Sequence, residues 1–526
     1  MELLLLRKVQ KMGLRLLAGT IRHLKIEQLF FQAAGRLHKP HLRKLQASAW
    51  SAVSPTTHFI PKQVCLNDGK FSFLNRESVF NGWNDNRNGK LWAYNLNYMD
   101  WLMQDGITPR DCTHWIDSFI RDIDSCKIGL DPYPTALRCM NWIKLFSMHH
   151  ETATKDRIDS LYSQISLLSR SIERHLLGNH ILEDAIALTM GACVFPNSPL
   201  GKKALKLLQK ELPGQILPDG AHFEQSPMYH CIILEHLLDC INLIQNSYTP
   251  FMQEAVRLLR SVSTSMAGHL KSIIWQDGTI PLLGDSTYGI ASKPNDILDY
   301  ALRLGIDSPP LPMKECGYRR MDNGIIQVIA DVGNITASYQ PGHSHADTFS
   351  YELRINGQPF IVDTGISTYD KSSRRQYERS TQAHNTVTVD GKDSSKVWGG
   401  FRVAGRARVK IEQENDYLIT ACHDGFGRNS IHTRSFRLEN GSFSIQDTCN
   451  TPKDTVSRIH FAPGVKILSA DTSQIVTDKA TILIKGAIGL NIKDVETAVE
   501  YNRTNISTVA EISFLNNLAY TLNINP

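Results

Sequence analysis

The stretch PGHSHADTFSYELRINGQPFIVDTG, residues 341–365, shows the chain running with a hydrophobic period of two. FSYELRI alternates, Asn356-Gly357 supplies the residues favoured in a tight hairpin turn, and QPFIVDT follows as a second short run. A two-residue turn puts Phe349, Tyr351, Leu353 and Ile355 on one face with Phe360 and Val362. Ser350, Glu352, Arg354, Ile361 and Asp363 take the other face. Regular pleating keeps His345 on the core face and away from Asp363. An ion shared by these two therefore requires irregular backbone at 341–348.

From about residue 317 onward the same period recurs in GIIQVIADVGNITASYQ, HNTVTVDG, RARVKIEQENDYLITACH, SFRLENGSFSIQDTC and AEISFLNNLAYTLNI. Many short strands joined by turn signals predict a large antiparallel sandwich. Upstream, from about 95 to 310, the spacing is helical. LYSQISLLSRSIERHLL (161–177), HILEDAIALTMGACVF (180–195), YHCIILEHLLDCINLI (229–244) and EAVRLLRSVSTSMAGHLKSII (254–274) predict antiparallel helical hairpins in series. The Pro-rich DSPPLPMKECG (307–317) marks the boundary, with a cleft between the halves.

The chain has 526 residues, 42% of them hydrophobic and 21% charged, which suits several soluble globular domains. Its net charge of +5 is too small to imply nucleic acid. No apolar run is long enough to span a bilayer. The opening MELLLLRKVQKMGLRLLAGTIRHLK lacks a basic region before its leucines and a cleavage site after them. It reads as a basic amphipathic helix packing on the next domain. Ten scattered cysteines without a CxxC pair read as buried thiols.

Several residues are placed for chemistry. Asn179 and His180 fall at a predicted helix start, with Glu183 one turn on to orient the imidazole. The plain alternative is an Asn cap followed by a surface His–Glu pair. Ser226-Pro227 signals another helix start and puts Tyr229 in its first turn, where the dipole should ease phenol ionisation. The alternative there is a packing tyrosine. WAYNLNYMDWL (92–102) and DPYPTALRCMNWIK (131–144) offer Asn95, Tyr98, Arg138 and Asn141 to an acidic sugar chain, or else to the core. Arg379, in a local basic cluster with Arg374 and Arg375, is a further candidate for binding an acidic substrate. His345, Asp363 and His384 form an acceptable zinc set, and His343 could face the cleft as acid or base.

Taken together, GNHILEDAIAL, DGAHFEQSPMYH, the 341–365 stretch and RSTQAHNTVTVDG resemble the heparinase II/III family of polysaccharide lyases. That resemblance implies a multidomain α and β chain, an incomplete (α/α) toroid at 91–312 and an antiparallel β-sandwich at 317–526, with residues 1–90 packed on the toroid. It implies β-elimination at a uronic acid. Tyr229 and His343 match the catalytic tyrosine and histidine, and Asn179 or His180 the position that neutralises the uronate carboxylate. Glu183 matches a glutamate seen in part of the family. His345, Asp363 and His384 match a structural metal site, zinc in some members, with calcium or manganese as other occupants and no organic cofactor. The partner implied is an acidic polysaccharide, and the place of action the periplasm or cell envelope, although the N-terminus is a poor signal peptide.

Two other readings compete. A glycoside hydrolase needs two carboxylates roughly 5–10 Å apart, with Glu183, Asp219, Glu224 and Asp285 as candidates. A non-catalytic glycan-binding or exopolysaccharide-biosynthesis accessory protein is the other.

Overall fold

A computed structural model describes residues 13–37, 40–247, 249–451 and 453–525. The first twelve residues of the predicted N-terminal helix lie outside the described residues. Residues 13–21 and Ile26–Leu37 are helical, and the chain then runs extended to a small three-stranded sheet at Leu66–Val79. This segment packs on the helical domain through Ala47–Asp159, Thr56–Asn242 and the Trp50–Phe146 ring pair. It also reaches the β domain, where the Trp398 indole N–H donates to the Thr20 hydroxyl.

The helical domain follows in antiparallel hairpins from Lys90–Tyr98 to Pro294–Arg303. Proline sits at the start of the helices at 109, 132, 227, 250 and 294, where its missing N–H costs nothing. Gly178–Val194 is apolar on nearly every side, and nearly all of its residues are buried among the helices at 132–148, 155–170, 200–215 and 227–244. The helical spacing read over 161–177 overshoots. The helix Lys155–Arg170 stops at Ser171, and the chain turns there so that the Glu173 amide N–H reaches Asp184.

The β domain has a four-stranded sheet, Tyr318–Asp322, Ile326–Asp331, Tyr351–Ile355 and Gln358–Ile361, facing a ten-stranded antiparallel sheet. Between them lies one apolar core containing Val328, Tyr351, Leu353 and Phe360 from the first sheet and Ile445, Ile512 and Phe514 from the second. The architecture is an incomplete toroid followed by an antiparallel sandwich.

In the hairpin, Asn356 and Gly357 adopt φ of 50° and 74°, as a tight turn requires. A bulge between Leu353 and Arg354 then pairs Leu353 with Ile361, which brings Ile361 into the core rather than onto the polar face. The polar face is itself buried against the toroid. Glu352 accepts from the Leu282 amide at 2.7 Å, and Arg354 pairs with Asp277 at 2.6 Å.

Candidate functional site

Between the domains lies a cavity of about 820 Å³ lined by Tyr98, Asn179, His180, Tyr229, His343 and Tyr369, among others. Ser226 caps the helix Pro227–Ile244, and its hydroxyl accepts from the Tyr229 amide at 3.2 Å. The Tyr229 ring stacks on His343 with centroids 3.9 Å apart and planes at 14°. Its hydroxyl is 3.2 Å from that of Tyr369. Burial raises the Tyr229 phenol above its ordinary value, so desolvation outweighs the helix-dipole effect expected from its first-turn position.

His343 Nδ1 lies 2.5 Å from Glu224 Oε2. Burial pushes the Glu224 carboxyl up, but His343, then His222 and the Asn179 amide N–H at 2.8 Å, together hold it below the usual value. Gly178, at φ 61°, makes this approach possible, because a Cβ there would overlap Glu224 Oε1. The Asn179 side chain is buried, and its oxygen has no hydrogen-bond partner among the described residues.

Beneath this pair, Phe349 at φ 68° turns the chain so that 341–350 runs irregularly into the strand. His345 Nε2 is held by Asp285 at 2.8 Å, and His384 Nδ1 by Asp363 at 2.7 Å. The remaining nitrogens, His345 Nδ1 and His384 Nε2, are buried without partners. His345, Asp347 and His384 each offer a ligand atom, all within 4.8 Å of one another. Burial, and then the Asp347 charge, push the neighbouring Asp331 carboxyl well up, a repulsion that a cation would relieve.

The heparinase II/III N-terminus model matches residues 79–298, and the heparinase II/III-like C-terminal model matches residues 306–508. The chain belongs to the heparinase II/III family. FtsZ-localized protein C of Caulobacter vibrioides is 25% identical over 350 residues, covering 60% of this chain and 58% of that protein. A heparin-sulfate lyase of Bacteroides thetaiotaomicron is 24% identical over 314 residues, covering 51% and 43%. The chain thus spans about half the length of the curated relatives it matches. A heparinase III crystal structure superposes with a TM-score of 0.67 at 14% identity, covering 85% of this chain and 80% of that one. At this identity the likeness speaks for the fold.

Within this heparinase II/III framework several sequence assignments change. Glu183 does not orient His180. It is fully buried and faces His236 Nδ1 at 2.8 Å, whereas His180 Nδ1 meets Glu173 at 2.8 Å and its ring packs on Tyr133. Burial lowers the His180 pKa, but Glu173 more than offsets this and raises it. The helix begins at Gly178 after Leu177, so Asn179 is not its cap.

Arg138 is no substrate ligand. It is completely buried, donating to Gln164, to the carbonyls of Asn97 and Gly129, and lying over Phe119. Arg379 is likewise buried and donates to the Ser344 carbonyl, bracing the histidine loop from behind. Asn141 lines the cavity while its amide holds the Tyr98 carbonyl, and Asn95 lines it while bonded to Leu91. Asp363 stands behind His384 rather than in the ligand cluster, where Asp347 takes its place.

The hydrolase carboxylates are engaged elsewhere. Asp219 accepts from the Lys314 and Cys316 amides and locks the interdomain linker. Asp285 takes a bidentate Arg375 at 2.5 and 2.7 Å. Burial pushes its carboxyl up, but Arg375 and His345 hold it far below the usual range. Sequence reasoning missed Tyr369, Glu173 and the role of Glu224 toward His343. It missed Asp347 as well, although that residue stands two after His345 in the opening stretch.

Proposed function

We propose that the protein is a polysaccharide lyase that cleaves a uronic-acid-containing glycan by β-elimination. The observation that carries this reading is the convergence of Tyr229, His343, Asn179 and His180 on one interdomain cavity. Elimination needs a neutralised carboxylate, a base at C5 and an acid at the departing C4 oxygen. Asn179 and His180 supply polar groups for the carboxylate. His343 Nδ1 faces the Glu224 carboxylate, which leaves Nε2 as the atom that exchanges a proton with the sugar. Tyr229 keeps its phenol proton in the resting site and serves as the second proton carrier.

His345, Asp347 and His384 fit a divalent cation, and two imidazoles with a carboxylate favour zinc. A cation held by these three residues would brace the loop that carries His343. The lyase names carried by several relatives support the reading, while the FtsZ-localized relative keeps an accessory role as the second one. The test is incubation with a panel of uronate polymers. Products with ultraviolet absorbance from a new C4–C5 double bond support elimination. New reducing ends without that absorbance indicate hydrolysis, and binding without cleavage indicates the accessory role.

A further inference from the structure

Among the described residues, three of the four Lys and Arg side chains lining the cavity are paired with a carboxylate of the protein itself. The four among the described residues are Lys62, Lys90, Lys144 and Arg402. Lys62 is paired with the buried Glu235 and also bonded to Ser292. Lys144 meets Asp239 at 2.6 Å with both side chains buried, and Lys90 lies 3.3 Å from Asp131. Arg402 alone of the four has no carboxylate partner among the described residues. Three of the four lining imidazoles follow suit, with His180, His236 and His343 each facing its own glutamate, while His175 has no such contact among the described residues. Asp100 and Asp370 add further carboxyl groups to the same walls.

The rest of the lining is aromatic and aliphatic. Tyr94, Tyr98, Tyr133 and Phe401 provide faces of pyranose size, and the N-terminal helical segment adds Leu17, Ile21 and Leu24. That segment is anchored on both domains, through Gln28 to the Leu176 and Tyr339 carbonyls and through Thr20 to Trp398, so its apolar wall is a fixed part of the cavity.

A sulfated glycan presents several anionic groups per repeat, and each needs an unengaged guanidinium or ammonium group to replace its water. Here Lys62 and Lys144 are committed to buried ion pairs, whose breaking is strongly unfavourable, and of the four cations the solvent-exposed Lys90 and Arg402 alone are within easy reach of such a chain. An unsulfated uronate repeat brings one carboxylate and otherwise hydroxyl, acyl and ring surfaces, which the aromatic walls suit. Resting on the lyase reading, we propose that this cleft selects an unsulfated uronate glycan and excludes sulfated ones.

The test compares polymers in matched pairs, each an unsulfated uronate–N-acetylhexosamine backbone and its N- and O-sulfated derivative. Turnover is read from the unsaturated product. In parallel, binding of fluorescent oligosaccharides of both kinds to the Tyr229→Phe protein is measured. We expect kcat/KM at least about tenfold higher on the unsulfated member, about 1.4 kcal/mol in transition-state terms. KM on it should change less than about twofold between low and physiological salt, because few charge contacts are screened. Arg402→Gln should raise that KM several-fold with kcat nearly unchanged. Equal or better cleavage, or tighter binding, of the sulfated member overturns the inference, as does absence of binding to every unsulfated backbone. Tight unsulfated binding without cleavage of any polymer leaves the selectivity standing and instead removes the lyase reading.

Discussion

Tyr229 lies flat on His343, ring centroids 3.9 Å apart, although one residue belongs to the toroid and the other to the sandwich. The proposed proton carriers therefore exist as a pair only while the two domains are docked. Glu224 and Tyr369 repeat the pattern, each contacting its partner from the opposite domain.

Tyr229→Phe keeps the stacked ring and removes only the hydroxyl. We expect turnover to fall by about 10³-fold, with the thermal midpoint within about 2 °C of wild type. Product absorbance and circular dichroism check the two halves of this statement. Near-normal turnover would remove Tyr229 from the chemistry.

The protein as purified should carry one equivalent of zinc at His345, Asp347 and His384. His384→Ala should lose it, whereas Asp363→Asn should bind about 10–100-fold more weakly, because Asp363 orients His384 instead of ligating. Elemental analysis and competition with a chelating dye measure both. Equal zinc content in wild type and His384→Ala would place the metal elsewhere.

Arg138→Met should unfold the toroid more readily without changing substrate recognition. Its loss leaves the Asn97 carbonyl unpaired in the core and the Gly129 carbonyl with the Thr135 hydroxyl alone, at a cost of about 3 kcal/mol. KM for any substrate should stay within about twofold. A large KM effect in a folded variant would restore Arg138 to the binding surface.

Asp285 and Asp447 are both buried against an arginine and a histidine, and both carboxyls are held far below their ordinary values. Such groups stabilise the fold above the unfolded-state value near pH ~4, and this contribution disappears as pH falls toward the folded-state values. Denaturant midpoints should therefore drop steeply in acid. Asp285→Asn should lose about 3–5 kcal/mol at neutral pH and show a flatter acid limb. An unchanged acid limb would deny Asp285 this role.

The two-domain order was legible because it rests on period. Helical spacing through 180–195 and 229–244 and alternation through 349–363 each state which face is apolar, and burial follows. Ser226-Pro227 gave Tyr229 its place from local chemistry alone, since a cap and a first-turn proline need no partner elsewhere. Ion-pair partners were not legible in this way. Glu183 shares a helix face with His180, yet it turns to His236 because that imidazole belongs to a neighbouring helix packed against the same buried side. Arg138 looked like a sugar ligand because sequence cannot distinguish a guanidinium aimed at a cavity from one satisfying carbonyls in the core.

The 341–365 stretch separates the two contributions. By itself the sequence determined a hairpin turning at Asn356-Gly357, since alternation and turn residues are local properties of the chain, and required a bend before it only if His345 was to share an ion. Tertiary structure decided the rest. A bulge moved Ile361 into the core, Phe349 at positive φ redirected the loop, and the docked toroid supplied Glu224 to His343 and Asp285 to His345. Those contacts join residues 60 or more positions apart, and only the packing of one domain on another brings them within hydrogen-bonding distance.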